Sequence, residues 1–204
     1  METTLYLMRH GEVHNPEQIL YGQLPNYYLS ETGKQQADSA GQWLQDKKIS
    51  KIYCSPMERA QQTAGIVAQY QNNLTPQQDK RIIEVHTPYD GRPISELEAM
   101  GWDLYTGNQP PHEVPTMILD RVHDFFEYII EQHRGESVVA VGHGDILVFP
   151  WLDAQGVIPE AHMKDTLLNF NLPEAYPATA SIMTFTFTDS PRKVKPIVSY
   201  TRPY

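Results

Sequence analysis

The sequence predicts an α/β fold: a three-layer α/β/α sandwich with a mainly parallel sheet and an antiparallel edge. Three observations predict it. Short apolar runs alternate with helix-period segments from residue 5 to about 150, the pattern of a sheet covered by helices on both faces. From Ser181 onward the pattern changes to strict alternation, with Thr184, Thr186 and Thr188 set against Phe185 and Phe187, and it turns at Asp189-Ser190-Pro191. The 204 residues contain 40% hydrophobic and 20% charged side chains, enough to bury the core of one domain, residues 1–204. No internal repeat, linker or low-complexity tract divides them.

The elements follow in order. Leu5-Tyr6-Leu7-Met8 is a nearly continuous apolar run, as expected of a strand buried on both faces. Residues 11–29 hold Gly11, Asn15, Pro16, Gly22, Pro25 and Asn26 and read as a long loop. Ser30 is the expected N-cap of a helix of about 18 residues, with Ala37, Ala40 and Leu44 on its inner face. Ile52-Tyr53-Cys54 is a second strand. Ser55-Pro56-Met57-Glu58 predicts a helix start with an N-cap serine, a first-position proline and a capping box. Met57, Ala60, Ala64, Val67 and Ala68 form its buried stripe. Arg81-Ile82-Ile83 is expected to be a third strand ending at Glu84, and Ser95-Glu96-Leu97-Glu98 a second capping box. After a loop at 105–115, Ile118, Val122, Phe125 and Ile129 mark an amphipathic helix. Ser137–Val141 is a buried strand stopped by Gly142-His143-Gly144, and 145–178 is helical or irregular. A last strand near 194–200, with Pro196 in it, belongs at a sheet edge.

Composition narrows the function classes. A formal net charge of −9 disfavours nucleic acid and anionic membranes as partners. No apolar run reaches the roughly 20 residues of a membrane span. Thr3–Met8 is too short and weakly flanked for a signal peptide, so a cytoplasmic location is expected. The single Cys54 permits neither an internal disulfide nor a cysteine metal cluster, and reads as a small core residue.

In open α/β sheets, ligands bind beyond the carboxyl ends of the strands. The first strand ends in Arg9-His10-Gly11. Arg59 follows the second within a helical turn or so, Glu84 closes the third, and His143 follows the fourth. Two histidines, two arginines and a carboxylate at one sheet edge suit phosphoryl transfer. Neutral imidazole is a nucleophile near pH 7, provided its other ring nitrogen has an acceptor such as a backbone carbonyl. Arginines stabilise the charge spread over the phosphoryl oxygens. A protonated Glu84 can give its proton to the leaving alcohol and later activate water. A metal is not expected: His10 and His14 are four apart, but Gly11, Asn15 and Pro16 argue against a helix there, and His86, His112, His123, His133 and His162 lack ligand spacing. No cofactor is expected either.

These residues lie in blocks that resemble the histidine phosphatase superfamily in its phosphoglycerate-mutase-like branch. Leu7-Met8-Arg9-His10-Gly11-Glu12 is similar to the defining motif. Leu29-Ser30-Glu31-Thr32-Gly33 with Gln36-Ala37, then Ser55–Ala64 around Arg59, then Val141-Gly142-His143-Gly144 follow in the family's order. The resemblance spans residues 5 to about 147 and implies a phosphoglycerate-mutase-like fold. It implies that His10 takes the phosphoryl group, that Arg9, Arg59 and His143 clamp it, and that Glu84 is the proton donor. It also places Asn15 and Gly144 among the substrate-binding residues. Two departures stand out: Asn15 is six rather than seven residues after Arg9, and Tyr89-Asp90-Gly91-Arg92-Pro93 replaces the usual Gly-x-x-Glu-Gly.

The expected function is a phosphoric monoester hydrolase acting on a small phosphorylated metabolite. A mutase returning the phosphoryl group to a sugar acid is the alternative of similar chemistry. A weakly catalytic phospho-ligand-binding module is disfavoured, because a binder has no need of a nucleophile. Tyr21, Gly22 and Arg92 are further candidates for the pocket, although ordinary loop roles suit them equally. The sequence leaves the identity of the alcohol and the oligomeric state open.

Overall fold

The computed structural model describes residues 2–204; the side chains of 164–166, Lys164 among them, lie outside the described residues. Among the described residues six strands form one sheet in the order β3-β2-β4-β1-β5-β6. They are β1 (Thr3–Arg9), β2 (Ile49–Cys54), β3 (Gln77–Gln78), β4 (Ser137–Gly142), β5 (Ile182–Phe187) and β6 (Ile197–Thr201). β1, β2, β3 and β4 run parallel, while β5 is antiparallel to both β1 and β6. The expected mixed sheet, with its antiparallel edge, is therefore present.

Strand alternation sorts the core into two layers. Leu5, Leu7, Tyr53, Val138, Ala140, Phe185 and Phe187 pack beneath α4 (Pro115–Gln132) and α5 (Gly144–Ala154). Met8, Ile52, Cys54, Val139, Val141 and Ile182 pack against α1 (Glu31–Leu44) and α2 (Glu58–Gln69). Ile118, Val122, Phe125 and Ile129 are all completely buried on α4. Each such side chain contributes about 1.5–3 kcal/mol, and together they fix the helix on the sheet. No helix of the described residues is long and apolar enough to cross a membrane.

Several local expectations are corrected. Residues 81–83 are not a strand: Asp79 Oδ1 accepts from the Arg81 amide at 2.9 Å and starts a 3-10 turn at Lys80–Ile82. The third parallel strand is the two-residue β3 just before it, so Glu84 follows a turn rather than a strand. Neither capping box forms. α2 begins after Met57, and Ser55 Oγ accepts from the Met57 amide at 3.2 Å instead of capping the helix. α3 (Ile94–Ala99) starts one residue ahead of Ser95. Ser30 does cap α1, accepting from Gly33 N at 3.0 Å, although the helix has 14 residues rather than about 18.

Candidate active site

Register places the two central histidines. Arg9 of β1 pairs with Gly142 of β4, so the next residue on each strand, His10 and His143, emerges at the same level of the sheet. Their ring centroids are 5.3 Å apart. Both side chains are essentially inaccessible to solvent.

The motif blocks interlock around His10. A Cβ on Gly33 would meet the Glu12 carbonyl oxygen at 2.0 Å, and one on Gly11 would meet the Gly33 oxygen at 2.4 Å. Only glycine at both positions lets α1 dock directly on the loop after β1. Ser30 Oγ then donates to Glu12 Oε1 at 2.7 Å, and Gln36 Oε1 accepts from both Glu12 N and Thr179 Oγ1. From α2, Thr63 Oγ1 accepts from Gly11 N at 3.1 Å and donates to the Arg59 carbonyl at 2.8 Å.

His10 Nδ1 donates to the Gly11 carbonyl at 2.7 Å, which leaves the lone pair on Nε2. Arg59 Nε donates to that atom at 3.2 Å. Arg59 is fully buried in the first turn of α2 and is the hub of the cluster. Its Nη2 donates to the Gly22 carbonyl at 2.8 Å and lies 3.2 Å from both Glu84 Oε2 and His143 Nδ1. Its guanidinium stacks under Tyr21, 4.8 Å from the ring centre. His143 Nε2 pairs with Ser55 Oγ at 2.7 Å, while Nδ1 is 3.2 Å from Glu84 Oε2. The diverted Ser55 thus orients His143 instead of capping a helix.

Arg9 lines the cavity from β1, with Nη1 donating to the Pro177 carbonyl at 2.5 Å and Cζ 5.1 Å from the Tyr176 ring centre. Arg59 Nη1 and Arg9 Nε are buried and have no hydrogen-bond partner among the described residues. Buried orphan donors are rare, and two cationic ones beside a neutral imidazole fit a ligand rich in acceptor oxygens.

The titration states suit this arrangement. Burial, and then the charges of Arg59, His143 and Arg9, hold His10 well below its ordinary value. Burial and Arg59 lower His143 from 6.5 to about 4, with Glu84 opposing. For Glu84 burial acts upward, but His143, Arg59 and the Val85 amide outweigh it and hold the carboxyl well below its ordinary range.

The cluster opens onto a cavity of about 480 Å³, within the range of small-molecule sites. The structure brings Arg9, His10, Glu84 and Gly144 to its wall, and Arg59 and His143 directly against His10 and Glu84. Tyr21 and Gly22 line it too. Asn15 does not: its side-chain amide donates to the Ile19 carbonyl at 2.9 Å and accepts from Ile19 N, holding the loop's backbone. Arg92 is outside as well, half-exposed and 3.7 Å from Glu96. Asp90, in the segment that departs from the family's Gly-x-x-Glu-Gly pattern, accepts from Gln23 N at 2.9 Å and braces the 20–24 loop.

Sequence reasoning missed Ser55 and Thr63 as positioning groups and missed Tyr105, Asp145 and Tyr176 altogether. Asp145 accepts from Tyr176 Oη at 2.7 Å and from Tyr105 Oη. A Cβ on Gly144 would lie 2.0 Å from Tyr176 Oη, so the glycine after His143 makes room for that phenol. A buried Asp so near His143 was a usable signal, but its tyrosine partners lie 40 and 31 residues away.

His10, Glu84 and His143 present ligand atoms within 4.8 Å of one another, a spacing that also suits a metal ion. Arg59 bonds to all three, so the positive charge at their focus is its guanidinium. A metal would have to displace it.

The family model for the histidine phosphatase superfamily (branch 1) matches residues 5–173. An uncharacterized protein of Mycobacterium tuberculosis, Rv0525, is 42% identical over 149 residues, covering 70% of this chain and 73% of that one. Fructose-2,6-bisphosphatase TIGAR of Xenopus laevis is 35% identical over 146 residues, 66% of this chain but only 52% of the frog protein. Among solved structures, Bacillus stearothermophilus YhfR superposes with a TM-score of 0.78 at 26% identity, covering 97% of this chain and 95% of its own. With the motif blocks, the fold and the histidine pair in agreement with that match, the chain belongs to the histidine phosphatase superfamily, branch 1.

Proposed function

We propose that this protein is a cytoplasmic phosphatase that hydrolyses a small phosphomonoester through a phosphohistidine on His10. The observation that carries the reading is the His10 side chain: Nδ1 is held by the Gly11 carbonyl, which leaves the lone pair on Nε2, where Arg59 Nε donates, and His10 lines the cavity together with Arg9. In the first step Nε2 attacks phosphorus and the P–O bond to the alcohol breaks, the alkoxide taking a proton from Glu84. Arg9, Arg59 and His143 face the oxygens on which charge accumulates. In the second step Glu84 takes a proton from water, whose oxygen attacks phosphorus. The P–N bond breaks and inorganic phosphate leaves.

Glu84 is ionised before substrate arrives, held so by Arg59 and His143. A phosphate engaging those two groups adds negative charge beside the carboxylate and raises its proton affinity. The substrate monoanion carries the proton needed, since the second phosphate pKa is about 6, and passes it to Glu84 before the P–O bond breaks. Turnover by the monoanion gives the acid-type profile that this reading predicts. Arg59 at the focus of the three ligand groups supports a metal-independent route.

The test is a brief incubation with phosphate-labelled ester followed by an alkaline quench. Label is expected on His10 and is lost, together with turnover, in His10→Ala. Label retained in that variant overturns the mechanism, and activity lost in chelator and restored by zinc or magnesium overturns the metal-free route.

A further inference from the structure

Ser55, the residue after β2, is buried completely and its backbone is pinned to the sheet. Its amide donates to the Val141 carbonyl at 2.8 Å, and the Cys54 carbonyl before it accepts from Asp79 N at 2.9 Å. The hydroxyl therefore has a fixed origin beside His143, whose ring is buried completely as well. Burial keeps that ring uncharged at neutral pH, so the open question is which of its nitrogens carries the hydrogen.

A serine hydroxyl has one hydrogen and two acceptor lone pairs. Ser55 Oγ accepts from the Met57 amide at 3.2 Å and stands 2.7 Å from His143 Nε2. Among the described residues it has no third partner, so its hydrogen is satisfied only by donation to Nε2. The lone pair of the neutral ring then lies on Nε2 and the hydrogen on Nδ1. The other side of the ring agrees. Nδ1 is 3.2 Å from Glu84 Oε2, and an ionised carboxylate only accepts. Arg59 Nη2 is equally near Nδ1, but its two hydrogens already have the Gly22 carbonyl at 2.8 Å and Glu84 Oε2 at 3.2 Å as acceptors. The opposite tautomer would leave the buried Ser55 hydrogen unpaired and turn a lone pair toward the carboxylate.

Resting on the phosphatase reading above, we propose that Ser55 is a positioning residue that holds His143 as the neutral Nδ1–H tautomer, so that His143 meets the transferring phosphoryl group as an uncharged hydrogen-bond donor. At rest the Nδ1 hydrogen is directed at Glu84. Once the substrate proton has passed to Glu84, the carboxyl no longer competes for that hydrogen, and a phosphoryl oxygen takes it as a hydrogen bond. His143 keeps its proton throughout, while Arg9 and Arg59 supply the positive charge.

Heteronuclear NMR of protein isotopically labelled at histidine nitrogen reads the tautomer, with the His143 signals identified by their loss in His143→Asn. At neutral pH the hydrogen is expected on Nδ1, and Nε2 is expected to show the shift of a bare imidazole nitrogen. The reverse assignment, or an even mixture, overturns the proposal. Orthovanadate, a mimic of the phosphoryl group, should move the Nδ1–H signal. A signal unmoved at vanadate concentrations that block turnover overturns the donor role. Ser55→Ala is expected to admit both tautomers and to lower kcat for 4-nitrophenyl phosphate about tenfold to a hundredfold, with little change in KM. Ser55→Thr, which keeps the hydroxyl, should restore the tautomer and most of the rate. A folded Ser55→Ala with the original spectrum and rate overturns the role of Ser55, and where neither variant folds the wild-type spectrum alone decides. No turnover of any phosphomonoester by the wild-type protein overturns the phosphatase reading and the donor role with it. The spectrum, which needs no substrate, still decides the tautomer.

Discussion

A buried arginine is costly to desolvate, and Arg59 is tolerated because a carbonyl, a carboxylate, two imidazoles and an aromatic face surround it. Lysine cannot reproduce this, because its ammonium is a point charge without the planar fork that reaches His10 and Glu84 together. Arg59→Lys is expected to lower kcat about 10²–10³-fold, the usual cost of losing one preorganised charge-stabilising donor. Steady-state phosphate release measures it, and a loss below fivefold would remove Arg59 from the transition state. Glu84→Gln tests the proton. Its turnover should fall about 10²–10⁴-fold for alkyl phosphates and far less for 4-nitrophenyl phosphate, whose anion leaves without protonation. Equal losses for both esters would move the acid elsewhere, and Asp145 is the other carboxylate on the cavity wall. The pH profile belongs to the same residues. His10 and His143 both stay neutral well below pH 6.5, so kcat/KM is expected to be level between about pH 5 and 6. It should decline above that range as the substrate loses its second proton near pH 6. An acid limb centred near 6.5 would show instead that His10 keeps its ordinary affinity for protons.

Between elements, the decisive contact is α1 against the loop after β1. Gly33 and Gly11 meet backbone to backbone beside His10. Gly33→Ala places a methyl where the Glu12 carbonyl stands and must push helix and loop apart. A displacement of about 1 Å at a reacting group can cost on the order of 10²-fold in rate. Gly33→Ala should therefore lose about that much kcat, although residue 33 is absent from the cavity wall. A crystal structure showing the loop unmoved, with activity intact, would refute this. Thr63→Val is a milder probe of α2. It keeps the shape and leaves the buried Gly11 amide unpaired, a loss of about 1–3 kcal/mol in denaturant unfolding.

For the whole molecule, the buried site makes folding stability depend on acid. An unfolded histidine titrates near 6.5, whereas His143 in the folded chain titrates at about 4. Between these values the unfolded chain binds more protons, so stability falls as pH falls through that window. At about 1.4 kcal/mol per pH unit, His143 alone accounts for roughly 3 kcal/mol, and His10 acts in the same direction. Glu84, held low when folded, has the same sign: its contribution is present above the ordinary carboxylate range and is lost as pH falls below it. The unfolding midpoint should therefore drop steeply between pH 6.5 and 4, and His143→Asn should flatten the curve. A slope unchanged in that variant would mean that the imidazole is not desolvated.

The sequence by itself determined five of the six described strands, the helix faces and the three blocks that carry Arg9 and His10, Arg59, and His143. Those are local signals: apolar period, glycine punctuation and short motifs at strand ends. It misjudged residues 81–83 because their apolar character suits a strand, whereas Asp79 closes a turn by a hydrogen bond that hydrophobic patterning does not register. It read Ser55 as a helix cap, because the alternative partner, His143, is 88 residues away. Asn15 misses the family spacing by one residue and faces its own loop. The Tyr105–Asp145–Tyr176 group joins the loop before α4, the start of α5 and the loop before β5, three segments that meet only in the fold. Motifs could be read because their chemistry is carried by neighbours in the chain. The shape of the pocket was decided in three dimensions, since long-range packing alone sets which distant side chains share a desolvated wall.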